Sequence, residues 1–80
     1  MADKVITITV PDAKVATAYV NRSEVYCEIK QFDLAISDAT TAIGLEPKDD
    51  NAYYQRSSAY SALKKFDLAI ADNNKSNELN

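Results

Sequence analysis

With 80 residues the chain has room for one domain, whose core is small enough to need a partner or a repeated neighbour to complete it. It holds no histidine and a single cysteine, Cys27, which excludes the commonest general base, an internal disulfide and a cysteine-cluster zinc site. A net charge of -3 with dispersed lysines and arginines argues against a nucleic-acid surface, and no apolar run approaches the ~20 residues of a membrane span.

From the N-terminus, Val5 to Val10 alternate strictly, with Ile6, Ile8 and Val10 on one face and Val5, Thr7 and Thr9 on the other. Period two in a wholly β-branched stretch predicts a short β-like extended segment within residues 1–12. A lone strand leaves its amides and carbonyls without a ladder. Three arrangements are open: pairing with its own copy in a homo-oligomer, lying over a groove or an open end of the fold, or belonging to a preceding domain. Nothing in these residues resembles a secretory signal, and the reading is a cytoplasmic chain.

From residue 13 the apolar period becomes helical. Val15, Tyr19, Arg22, Tyr26 and Ile29 recur three or four apart, with Ala18 and Val25 widening the stripe. Pro11-Asp12 offers a cap for this helix. A turn at Lys30-Gln31 leads to a second helix carrying Phe32, Ala35, Ile36, Ala39, Ala42 and Ile43, with Asp33 in its favoured first turn. The only glycine, Gly44, falls in the last turn before Glu46-Pro47-Lys48-Asp49-Asp50, where proline breaks the helix. The pattern then restarts. Ala52, Tyr53, Arg56, Ala59, Tyr60 and Leu63 form one helix, and Phe66, Ala69 and Ile70 another, joined by a turn at Lys64-Lys65, with Asp67 in the first turn.

Tyr19 and Tyr53, and likewise Phe32 and Phe66, lie 34 residues apart, and whole blocks follow them. Ala18-Tyr19-Val20-Asn21-Arg22-Ser23 matches Ala52-Tyr53-Tyr54-Gln55-Arg56-Ser57, and Phe32-Asp33-Leu34-Ala35-Ile36 matches Phe66-Asp67-Leu68-Ala69-Ile70. A fixed period of this length means stacked repeats, divided here at about 16–49 and 50–80. Tyr19, Tyr26, Tyr53 and Tyr60 are packing residues, with Ala35, Ala42 and Ala69 as the small residues beneath their rings. Asp33, Asp38, Asp67 and Asp72 recur without a histidine, a glycine-rich loop or a nucleophile elbow, and are read as charges on solvated helix faces. Cys27 has no base to activate it and is read as a small half-buried thiol. Asn73-Asn74-Lys75-Ser76-Asn77 stand where the first unit has Ala39-Thr40-Thr41-Ala42-Ile43, which leaves two readings open, a solvated end that caps the stack or a last turn that frays.

These residues resemble the tetratricopeptide repeat family. Its pattern of a bulky aromatic, a small residue, tyrosine, aromatic, alanine, alanine and proline is matched by Tyr19, Ser23, Tyr26, Phe32, Ala35, Ala42 and Pro47. The second unit gives Tyr53, Ser57, Tyr60, Phe66, Ala69 and Ser76. Lys30 and Lys64 stand where the family often has glycine, and Arg22 and Arg56 where it has leucine. The resemblance implies an all-α fold of antiparallel helix pairs stacked as a short solenoid. It further implies a concave groove lined by Val20, Asn21, Glu24, Cys27 and Glu28 of one unit and Asn51, Tyr54, Gln55, Ser58 and Ser61 of the next.

Relatives that bind heat-shock chaperones clamp an acidic tail, and Asn21 occupies a clamp position. The places of the clamp lysine and arginine look like Asn51 and Gln55, however, and neutral amides cannot make charge-assisted bonds to a carboxylate. With Glu24 and Glu28 nearby, a neutral or mildly basic segment fits better, held by Tyr54, Asn21 and Gln55. The expectation is therefore a non-enzymatic adaptor or scaffold that binds a peptide or helix without cofactor or metal. The alternative is a self-assembly module that meets its own copy through Ile6, Ile8 and Val10 and through exposed helix faces, since two repeats are fewer than a stable array usually needs.

Overall fold

The computed structural model describes residues 12–80, with side chains from Lys14 onward. They form four helices and, among the described residues, no strand: α1 (Asp12–Glu28), α2 (Phe32–Leu45), α3 (Asp50–Ala62) and α4 (Phe66–Leu79). The alternating segment with Ile6, Ile8 and Val10 lies outside the described residues. α1 packs on α2 and α3 on α4 as two antiparallel pairs, and the pairs meet where α3 lies against both α2 and α1.

Both hairpins turn in the same way because their backbones close the same hydrogen bonds. After α1, the Gln31 amide donates to the Tyr26 carbonyl at 2.8 Å and the Lys30 amide to the Cys27 carbonyl at 3.1 Å. After α3, Lys65 donates to Tyr60 at 2.8 Å and Lys64 to Ser61 at 2.9 Å. This six-to-one plus five-to-two pattern is the Schellman ending, whose penultimate residue must be left-handed. Lys30 and Lys64 fill that position at φ 65° each, where a Cβ clashes with the following carbonyl. Lys30→Gly and Lys64→Gly should each stabilise the fold by about 0.5–1 kcal/mol. Thermal unfolding followed by circular dichroism should show Tm rising by roughly 4 °C per variant. Lys30→Ala, which keeps the Cβ, should give no comparable gain.

The break between the repeats works by a different device. α2 stops at Leu45, and Asp49 caps α3 by accepting the Asn51 amide at 3.0 Å. Asp33 and Asp67 stand in the first turns of α2 and α4, where the dipole favours them.

The core is built mostly of alanine. Ala16, Ala35, Ala39, Ala42, Ala52 and Ala59 have no exposed surface, and Ala69 very little. Side chains this small let helix axes approach closely, and the larger Tyr19, Ile43 and Leu45 close over the cluster of Ala16, Val20, Ala42 and Ala52 at the repeat junction. Ser23 is fully buried where α1 crosses α2, its hydroxyl donating to the Ala35 carbonyl at 2.8 Å. Ser57 repeats that bond to Ala69 at 3.0 Å.

Several residues assigned to apolar stripes by their spacing stand in solvent. Ala18, Val25 and Ile29 on α1, and Phe66 and Ile70 on α4, are exposed. They lie on the two outer faces of the stack, where no further helix covers them among the described residues.

Candidate functional site

α1 and α3 carry the candidate site because they are the helices that lie side by side across the repeats. α1 contacts α3, whereas α2 and α4 make at most a marginal contact. The first helices of the two pairs thus lie side by side on one face of the stack.

On α1, Asn21, Glu24, Cys27 and Glu28 recur at three- and four-residue steps and so share one stripe. Asn21, Glu24 and Glu28 are exposed and Cys27 is half-buried. On α3 the corresponding stripe holds Asn51, Tyr54 and Ser61, exposed, with Gln55 and Ser58 half-buried. The two stripes adjoin where the Cys27 thiol faces the Gln55 carbonyl, Sγ to O 3.9 Å. Burial, then the carboxylates of Glu24 and Glu28, push the Cys27 thiol above its ordinary pKa, so it is held as the neutral thiol.

Val20 differs from the other residues expected in the groove. It is 6 % exposed and packs with Ala16, Ala42 and Ala52, so it belongs to the core and lines no open surface. Tyr54, its counterpart one repeat on, is 52 % exposed, and among the described residues no helix lies over it as α3 lies over Val20. Tyr54 is thus the large side chain of the stripe, flanked by amides and hydroxyls and with no cation among the stripe residues.

Asp38 and Asp72 are not solvated. Each is 5 % exposed and is gripped by an arginine of the preceding helix. Arg22 donates from Nε to Asp38 at 2.6 Å and from Nη2 at 3.0 Å. Arg56 repeats the pair on Asp72 at 2.7 and 2.9 Å. Both guanidinium groups are held above their ordinary pKa, first by these hydrogen bonds. Each also lies between two tyrosine rings. Arg22 is 5.7 Å from the centroids of Tyr19 and Tyr26, and Arg56 is 5.7 and 5.8 Å from those of Tyr53 and Tyr60.

The half-buried tyrosines therefore act as platforms for a cation, and Tyr19 packs on the apolar cluster as well. An arginine and an aspartate 16 residues apart in both units was the sequence signal for this clamp. It ties the second helix of each pair to the first.

Stacked antiparallel helix pairs with a 34-residue period and a polar inner stripe define a helical-repeat protein. The tetratricopeptide repeat model matches residues 16–49 and 50–80, and the chain belongs to that family. Repeats of this family generally mediate protein–protein interactions. No curated protein and no solved structure matches the chain. None of the described helices is long and apolar enough to cross a membrane.

Proposed function

We propose that the chain is an adaptor module that holds an extended, neutral to mildly basic peptide segment along the joined stripes of α1 and α3. The observation that carries this reading is Tyr54, a large aromatic half in solvent on the inner stripe and ringed by hydrogen-bonding groups. Asn51, Gln55, Ser58 and Ser61 on α3, with Asn21 on α1, supply donors and acceptors suited to a peptide backbone. Glu24 and Glu28 on the same stripe give the preference for positive over negative charge. An aromatic side chain with polar neighbours is the combination that anchors recognition elsewhere.

Random peptides displayed on phage test the reading directly. Enriched peptides should be neutral to basic, and the double variant Asn21→Ala, Tyr54→Ala should bind a chosen synthetic winner at least tenfold more weakly by titration calorimetry, about 1.4 kcal/mol. Glu24→Lys with Glu28→Lys should turn the preference toward acidic peptides. Peptides held equally well by the Asn21, Tyr54 double variant would place recognition elsewhere on the molecule and overturn the proposal.

A further inference from the structure

The junction between the two repeats shows what fits the outer faces. α3 runs antiparallel along α2 in a register marked by two contacts. Ala42 and Ala52 share one apolar cluster, and Arg56 Nη1 donates to Thr40 Oγ1 at 3.1 Å. Continued along the pair, this register sets Ile36 opposite Ala59 and Phe32 opposite Leu63. On the α1 side the junction is closed by Cys27 against the Gln55 carbonyl.

Moving every position by one repeat of 34 turns this junction into a pair of open surfaces. The seat that receives α3 becomes the α3–α4 face, where a recess of about 370 Å³ is lined by Ser57, Ser61, Phe66, Ala69, Ile70 and Asn73. Phe66 and Ile70 are 56 % and 60 % exposed, against half-buried Phe32 and Ile36 at the covered seat. The inserted face of α3 becomes the outer face of α1, where Val25 and Ile29 are 51 % and 57 % exposed. Arg22 follows suit, its side chain 43 % exposed against 20 % for Arg56, which the junction covers.

We infer that a second copy of the chain occupies this recess, its α1 seated on α3 and α4 so that the repeat continues from one molecule to the next. The register then pairs Ile70 with the partner's Val25 and Phe66 with the partner's Ile29, four apolar side chains that are each at least half exposed in the single chain. The polar contacts carry over with matched chemistry. The partner's Arg22 meets Asn74, whose amide oxygen replaces the Thr40 hydroxyl as acceptor. The Ser61 hydroxyl takes the place of the Cys27 thiol in donating to the backbone carbonyl of the partner's Asn21.

Lower down, Ser76 and Asn77 replace Ala42 and Ile43, so this contact buries less apolar surface than the internal one and forms only at high concentration. The two faces are different surfaces, so the association is head to tail and has no closed dimer as its endpoint. Tyr54, Ser61 and Asn21 belong both to this contact and to the proposed groove, so a second copy and a bound peptide compete for them.

Sedimentation equilibrium of the full chain over a wide concentration range, from micromolar to millimolar, is the test. The weight-average mass should rise continuously to more than twice the 8.8 kDa of one chain. Val25→Asp blocks one face and Ile70→Asp the other. Each variant alone should remain monomeric with unchanged helical circular dichroism, since both side chains are exposed. Mixed, the two variants should form a one-to-one dimer that grows no further, because each retains one competent face. A wild-type chain that stays monomeric throughout overturns the inference, as does association that survives both substitutions. Association that disappears only when residues 1–11 are removed also overturns it, and assigns self-contact to Ile6, Ile8 and Val10.

Discussion

Replacing Arg56 by alanine is expected to remove about 3 kcal/mol of stability, a large share of the roughly 4–12 kcal/mol available to a domain of this size. The loss comes mainly from what is left behind. Asp72 is 5 % exposed, and both of its oxygens are bonded by Arg56. Without the guanidinium, the carboxylate stays buried without its partner, which is far costlier than the loss of a surface ion pair. The substitution also removes the donor to Thr40 and the cation between Tyr53 and Tyr60.

Arg22→Ala should cost less, about 1–2 kcal/mol, because the Arg22 side chain is 43 % exposed against 20 % for Arg56. Water can reach Asp38 more readily once its arginine is gone. Urea unfolding followed by circular dichroism measures both, and the order Arg56 above Arg22 is the discriminating result. Arg56→Met combined with Asp72→Leu should recover most of the loss, since an apolar pair of similar volume replaces a desolvated ionic one. Equal small losses for the two alanine variants would mean that the carboxylates are solvated after all.

The repeat made the fold legible. A 34-residue period written in Tyr19 and Tyr53, and again in Phe32 and Phe66, leaves little room for any other architecture, and helices start and stop near the residues that proline, aspartate and the turns at Lys30-Gln31 and Lys64-Lys65 mark. Burial was harder to read, because periodicity finds a stripe and not what covers it. Val25 and Ile29 have the spacing of core residues, yet no helix among the described residues lies over the outer face of α1. Val20 and Tyr54 show the same effect at a single repeat position, the first closed by α3 and the second open.

The arginine clamp was missed for a chemical reason. A carboxylate four or five residues from another polar group looks like a surface charge unless its partner 16 residues earlier is counted as well. Of the candidate groove, the sequence placed Asn21 and Tyr54 on the first helices of the two pairs, α1 and α3. Which of its side chains were taken into the core depended on how closely the two pairs stack.

Enlarging Ser23 to leucine should be nearly as damaging as removing Arg56, at about 3 kcal/mol, while the same change at Ser57 should cost under about 1 kcal/mol. The two serines have the same local chemistry, each donating to an alanine carbonyl of the facing helix at 2.8 and 3.0 Å. They differ in what lies beyond the side chain. Ser23 has no exposed surface, so the added carbons of a leucine must push α1 away from α2 or drive its side chain off its preferred rotamers. Ser57 is half-buried on the wall of the open recess beside Phe66 and Ile70, and a leucine there has a direction in which to turn.

Ser23→Ala separates the hydrogen bond from the packing. It should cost only about 0.5–1.5 kcal/mol, because the helical backbone still satisfies the Ala35 carbonyl. With a urea dependence of roughly 1 kcal/mol per molar for a chain this small, Ser23→Leu moves the midpoint by about 3 M, well outside experimental error. If leucine were tolerated equally at both serines, close packing of α1 on α2 could not be what holds the first repeat together. The arginine–aspartate pairs would then hold the two helices of each repeat together alone.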